Sequence, residues 1–443
     1  MPQAKVTPLT RILQTLFNER ANELARETGM IQRQRTLTGS GLVKALVFGW
    51  LAKPEATLEN LAQRAASLGE AITPQGLDLR FTEATARCLK RLLEEALAHL
   101  VEADPVAVAL FGRFPGGVFL LDSSTVTLPE ALACLYEGCR TSNGTTAGVK
   151  VHVCWNVSTG ALYHLELSPA RRHDRASEGQ ALALPAGALR ITDLGYFTLP
   201  RLRVLGQQGV FWLSRLRAGT VVHTREGTRL DLARWLDEQG TGTGRVDQAV
   251  LVGAAERLPC RLLAQRVPVA VSAERRRRLH REARRRGQTV SQARLRLADW
   301  TILITNADQD HLDLEEALVL YRVRWQVELL FKLWKQHGGI DQWRSKNPQR
   351  ILCEFYAKLL AMLVLHWVLL LGSWSRVDRS MFKAAQTVQS HALHVMLSLE
   401  RVSLLRAALL VLEHTLAAGC RIGKRGRPAT YQLLLDLNEN PLT

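Results

Sequence analysis

GVFLLDSST, residues 117–125, is a run of four apolar side chains that ends on a carboxylate followed by small hydroxyl residues. An uninterrupted apolar run of that length suits a strand buried on both faces, as in a parallel sheet under helices. Asp122 then marks the edge where the sheet meets solvent. LRITDLGYF, residues 189–197, repeats the arrangement with Asp193. Two strand-end aspartates converge only if their strands are neighbours, and each taken alone is equally a turn former or a helix cap.

Outward from these two runs the pattern stays that of short strands. VKVHVCWNV (149–157) and ALYHLELS (161–168) flank the turn sequence VSTG at 157–160, which predicts a hairpin. A helix is expected near EGQALAL (178–184), and further strands at VFWLSRL (210–216) and WTILITN (300–306). Strands, a hairpin and crossover helices in this order predict an α/β core with a mixed sheet, split between residues 116–216 and 299–345.

The intervening residues 217–298 read as an insertion. Its first part alternates like β structure (GTVVHT, AVLVG, RLLAQ), and its end, 274–296, is an arginine-rich helical stretch expected to face DNA. Residues 1–115 carry apolar side chains at helical spacing. Within them TLENLAQRAASLG (57–69), with Thr57 as a cap and Gly69 as a stop, precedes a second short helix starting at Thr73 and Pro74 and running through QGLDLRF. That is helix-turn-helix spacing, open to a DNA-reading unit and to a plain helical pair. Residues 346–443 return to helices, offer a dimerisation surface, and include the basic segment IGKRGRPAT at 422–430, where an RGRP tetrapeptide can lie in an A·T minor groove or remain a solvated tail.

Length and composition bound the rest. With 443 residues, 47% of them hydrophobic, the chain can bury a large core, and 58 Lys and Arg against 41 Asp and Glu leave a net charge of +17. Such a field attracts a polyanion, and charge alone leaves nucleic acid and an anionic membrane both open. The one membrane-like segment, AKLLAMLVLHWVLLLGSW at 357–374, is interrupted by Lys358 and His366 and is expected to be a buried bundle helix. Seven scattered cysteines without a CxxC pair fit a reduced compartment, and no apolar run follows the basic N-terminal start, so a cytoplasmic protein without a membrane partner is expected.

A third acid comes from YRVRWQVELLFKLWK, residues 321–335. On one helix, Tyr321, Arg324, Glu328 and Lys335 fall within roughly 60° of arc at about 100° per residue, while Val323, Val327, Leu330 and Trp334 gather opposite. An ordinary surface helix would look similar. A pairing of Arg324 or Lys335 with Glu328 along the helix is the plain alternative to a functional role.

Together, LDSST (121–125), TDLGYF (192–197) and YRVRWQVELLFKLWK resemble the bacterial insertion-sequence transposases of the DDE class, in the branch with a Tyr-Arg-Glu-Lys signature. The resemblance implies a ribonuclease-H-like core interrupted by a β-rich insertion before the last acid. It also implies that Asp122, Asp193 and Glu328 are the catalytic carboxylates and hold two divalent ions, Mg²⁺ with Mn²⁺ able to substitute. By the same resemblance Tyr321, Arg324 and Lys335 grip phosphates at the element end, Trp300 stacks on a flipped base, and Arg215 is a weaker candidate for a backbone contact. The implied activity is cut-and-paste transposition on terminal inverted repeats and target DNA, through a homodimeric synaptic complex and a hairpin intermediate, at the nucleoid of a prokaryotic host. His152, His173 and Asp174 lack ligand-like spacing and are expected to be structural or peripheral. The rival class is a non-catalytic DNA-binding protein, and the presence of all three acids argues against it.

Overall fold

The structure, a computed structural model, describes residues 3–33, 37–141, 144–423 and 430–439. The RGRP tetrapeptide lies outside the described residues. The chain forms two compact units, one of residues 108–122, 173–326 and 428–443, the other of residues 1–107, 123–172 and 327–427. Ten strands occur among the described residues: β1 (Val118–Leu128), β2 (Glu137–Thr141), β3 (Gly144–Asn156), β4 (Leu162–Pro169), β5 (Leu189–Thr192), β6 (Phe211–Arg215), β7 (Val222–His223), β8 (Arg245–Val252), β9 (Leu258–Arg266) and β10 (Trp300–Thr305).

In the first unit the sheet runs β1-β5-β6-β10-β9-β8-β7. The beginning of β1 is parallel to β5, with Val118 opposite Leu189 and Leu121 opposite Thr192, and β5 is parallel to β6. From β6 onward every pairing is antiparallel. Residues 118–121 and all of β5 are buried, as a parallel pair covered on both faces requires. Helix Leu199–Gln207 makes the crossover between β5 and β6. This is the mixed α/β sheet of a ribonuclease-H-like core.

The insertion extends that sheet. β9 pairs with β10 over six residues from Trp300↔Arg266 to Thr305↔Arg261, so the inserted β8–β9 hairpin covers an edge that β10 would otherwise leave open. The arginine-rich stretch forms helix Val269–Arg285, followed by Gln292–Leu297.

The helix expected near EGQALAL is a single 3-10 turn, Glu178–Gln180. Pro185 disfavours helical backbone at Leu184, and Gln180 is committed elsewhere: it receives the buried Arg190 guanidinium from β5 on its carbonyl and side-chain oxygens, and its amide donates to Tyr196 O at 2.7 Å. Similarly, the segment after Thr73 is helical only over Pro74–Asp78.

In the second unit, β3 and β4 form the hairpin expected at VSTG, closed by Asn156 N–H to Ala161 O at 2.9 Å and turned by Gly160 at φ +77°. Helix Pro348–Gly372 is apolar and long enough to cross a membrane, but 94% of its most apolar window is buried within the protein. It packs against helices Gly39–Ala52, Glu83–Leu97 and Val402–Ala418, so the N-terminal and C-terminal helices share one core. Thr57 caps Leu58–Ser67 in a box with Asn60. Glu70 accepts from the backbone and hydroxyl of Thr38 at the start of Gly39–Ala52, in space that a side chain at Gly41 would take.

Candidate active site

The register of two strands sets the first pair of acids. Leu121 lies opposite Thr192 in the parallel β1–β5 ladder, so Asp122 and Asp193 follow at equivalent positions on neighbouring strands running the same way. Asp193 directly follows the carboxyl end of β5, where ligand sites of open α/β sheets form, whereas Asp122 does not stand at a strand end as expected: β1 leaves its pairing with β5 there but runs on to Leu128. Asp193 is also the residue before the 3-10 turn Leu194–Tyr196. A Cβ on Gly195 in that turn would come within 2.7 Å of Asp174 Oδ2, so the Asp174 carboxylate lies against this turn. Asp174, which the sequence suggested to be peripheral, thus brings a third carboxylate to the loop after β5.

The signature residues occupy two helices rather than one. Helix Leu314–Val323 ends as its chain tightens at Arg324, whose N–H reaches Tyr321 O at 3.3 Å, and helix Trp325–Gly338 begins next. The Arg324 guanidinium, 8% exposed, donates to Asp122 Oδ2 at 3.0 Å across 202 residues of sequence. In a buried setting that charge-assisted bond fixes both side chains. Tyr321 lies in the same charge field: burial pushes its phenol up to about 12, opposed by Arg324 and reinforced by Asp193. Its hydroxyl is therefore protonated at neutral pH, and it is buried without a hydrogen-bond partner among the described residues.

Glu328 stands in the first turn of Trp325–Gly338, and the expected apolar back is present, with Val327, Leu330 and Trp334 at most 1% exposed. Lys335, in the last turn, donates to Thr125 O in the second half of β1 at 3.2 Å. Among the described residues, no three His, Cys, Asp or Glu side chains are gathered closely enough to hold a metal ion.

Trp300, the candidate for base stacking, lies inside the protein. Its ring is buried, Nε1 approaches Asp237 Oδ1 at 3.4 Å, the Arg266 guanidinium lies 5.0 Å from the ring centroid, and a Cβ on Gly240 would collide with the ring. Both the edge and a face are occupied, so Trp300 packs the insertion against β10. Trp325, which sequence pattern alone does not single out, is placed differently. It is 57% exposed and stacks with Arg324, whose guanidinium carbon lies 5.3 Å from its ring centroid.

Arg215, at the end of β6, opens into a cleft of about 970 Å³ whose lining includes Leu194, Arg217, Arg275, Arg278 and Ile302. Arg275 donates to Trp300 O and Thr301 Oγ1, both at 3.0 Å, and burial followed by the neighbouring Arg215 charge holds its pKa below the ordinary guanidinium value. Cations accumulate on this wall although like charges repel, which favours an anion there. His152 is buried and shares a 2.9 Å hydrogen bond with Ser168, in keeping with a structural role, and His173 precedes the 3-10 turn Asp174–Ala176.

The sheet is thus mixed, two aspartates stand at equivalent positions on neighbouring parallel strands, and a guanidinium is locked on one of them. The family model for the transposase DDE domain matches residues 113–364, more than half the chain, and the chain belongs to that family: a bacterial insertion-sequence transposase, a DNA endonuclease and strand transferase. Members of this family work on DNA with divalent metal ions. The chain is 26% identical over 452 residues to the transposase for insertion sequence element IS231F of Bacillus thuringiensis subsp. israelensis, covering 96% of this chain and 94% of that protein. It is 28% identical over 318 residues to the putative transposase InsL of IS186A from Escherichia coli K12, covering 66% and 81%. Among solved structures, piggyBac transposase in a synaptic complex with hairpin DNA aligns over 96% of this chain and 87% of that one, at 10% identity and a TM-score of 0.47.

Proposed function

We propose that this transposase moves its own element by cut-and-paste transposition, with Asp122, Asp193 and Glu328 holding two Mg²⁺ ions that Mn²⁺ can replace. The carrying observation is the pair of aspartates at equivalent positions directly after the last paired residues of the parallel β1–β5 ladder, with Arg324 bound to Asp122. The donor set fits the group: carboxylate oxygens are the hard ligands Mg²⁺ takes, and Glu328 supplies another on the helix directly after Arg324. Such ions, when bound, activate the attacking oxygen and stabilise the leaving one in an in-line displacement.

The chain's own residues do the rest. Arg324 offers a planar fork that can bridge Asp122 and a phosphate, Tyr321 brings a neutral hydroxyl donor, and Lys335 brings a point charge. Arg215 and the arginines of its cleft suit the backbone of an element end. Terminal inverted repeats and target DNA are the partners, a homodimer in the synaptic complex is the assembly, and the cytoplasmic nucleoid is the place of action.

The test is incubation of the purified protein with Mg²⁺ and duplexes carrying the terminal repeats of its own element. Nicking at the repeat end, absent in E328Q, is expected. Tight repeat binding without nicking in Mg²⁺ or Mn²⁺ would instead make the chain a DNA-binding protein without catalysis.

A further inference from the structure

The acid-bearing helix Trp325–Gly338 ends on two glycines, and what holds that end is a buried charge the catalytic reading does not use. Gly339 adopts φ +55°, the left-handed conformation that ends a helix, and its N–H returns to Lys335 O at 3.1 Å. A Cβ on Gly338 would lie 2.5 Å from Met362 Sδ, so helix Pro348–Gly372 presses directly against this terminus.

From that same helix comes Lys358, the residue whose charge interrupts the apolar run 357–374. It is 1% exposed, and its ammonium has three protons and three acceptors: Glu354 Oε1 at 2.7 Å, Gly339 O at 3.1 Å and Gln342 O at 3.0 Å. Glu354, one turn earlier, is 2% exposed. Gln389 completes the grip, donating to His337 O at 2.7 Å and sharing a 3.1 Å hydrogen bond with His337 Nδ1. Gly339 is the first residue past the helix and Gln342 lies three further on, so the ammonium ties down the chain as it leaves the helix, beside the negative pole of the C-terminus, where a buried cation is stabilising. The desolvation of a Lys–Glu pair in an apolar core is costly unless every proton is placed, as here.

We propose that Lys358, neutralised by Glu354, is a positioning residue for the reaction: it anchors the C-terminal end of helix Trp325–Gly338 and thereby fixes the height and rotation at which Glu328 and Lys335 are presented. This rests on Glu328 acting as a metal ligand, as argued above. A clamp on the far end of a helix sets the near end because the intervening three turns are one hydrogen-bonded rod. Outer groups that orient a metal ligand have the same kind of influence on the ion it holds.

The experiment compares the full-length parent with E354Q/K358M, which removes both charges together so that no lone ion is left buried. Melting is expected to stay cooperative and terminal-repeat binding to change by less than about threefold, since an ion pair replaced as a unit is often tolerated. The Mg²⁺ concentration for half-maximal nicking should rise about tenfold, the scale on which outer-shell partners act. Backbone amides of residues 327–339 should exchange with deuterium about tenfold faster, reporting the loosened helix. An unchanged Mg²⁺ curve overturns the proposal even if exchange accelerates, and so does loss of cooperative melting, because the pair would then only hold the fold. If the parent itself nicks no element end, the catalytic reading has failed and the exchange data alone judge the clamp, with unaltered protection refuting it.

Discussion

Asp122 and Asp193 directly follow the last paired residues of a parallel ladder that sets their spacing, whereas Glu328 rides on a helix held by the packing of its apolar side and by its capped end. A parallel ladder fixes side-chain positions to within the hydrogen-bond geometry of the strands, and substitutions among its neighbours leave that spacing intact. A helix rotates and slides as a body, so its polar face is only as well placed as its core contacts. The three proposed metal ligands are therefore exposed to two different kinds of failure.

The largest effects come from the acids themselves. Asp122→Asn, Asp193→Asn and Glu328→Gln should each lower Mg²⁺-dependent nicking more than about 1,000-fold, the scale of removing a group that stabilises transition-state charge directly. Binding to terminal repeats should survive in all three. A gel assay in which one of them cuts at a near-parent rate would remove that acid from the site and with it one side of the comparison.

A pair of core truncations sharpens it. Leu120 in β1 and Leu330 in the acid-bearing helix are both fully buried, and replacing either by Ala should cost about 2–5 kcal/mol in urea denaturation. At a temperature where both variants are folded, only Leu330→Ala should slow single-turnover cleavage, by about tenfold, because a helix shifts into the space its side chain leaves. Equal slowing in Leu120→Ala would mean that the ladder is no stiffer than the helix packing.

Smaller still is the expected effect of Trp300. Its buried ring, pinned by Asp237, Arg266 and Gly240, predicts that Trp300→Leu lowers stability while nicking by the folded fraction stays within about threefold of the parent, as loss of packing alone implies. Cleavage that collapses while the protein remains fully folded would restore the base-stacking role.

These cases also mark where sequence pattern stops being informative. The continuation of β1 for six residues past Asp122 is not legible, since its burial there is no longer continuous, whereas GVFLL and LRIT are legible because a strand buried on both faces leaves a continuous apolar run. The apolar back of Val327, Leu330 and Trp334 is legible for the same reason, through period rather than continuity. The break at Arg324 is not, since local helical spacing runs straight through it; the tightened turn accompanies an ion pair with a residue 202 positions away. Likewise nothing within WTILITN says that β9 will cover its edge, or that Trp300 will be inside and Trp325 outside. Exposure of an aromatic depends on which neighbours arrive, and those come from distant segments.

The smallest predicted effect concerns the two cations that flank Glu328. Arg324 is bound to Asp122 and Lys335 to a backbone carbonyl, so one is tied to a charge and the other to a neutral dipole. If both also grip phosphates of the element end, replacing either with Ala should reduce the slope of log affinity against log salt by about one counterion. The intercepts should differ. Arg324→Ala also strips Asp122 of its buried partner, so it should add repulsion toward the phosphates and weaken binding the more of the two, while Lys335→Ala loses only its own contact. Glu328→Gln, which removes a negative charge, should leave the slope unchanged. Affinities across a salt series for the three variants decide the matter: a parent-like slope in Arg324→Ala would mean that the guanidinium spends its charge wholly on Asp122, and that the helix junction at Arg324 serves to shape the acid pair rather than to hold DNA.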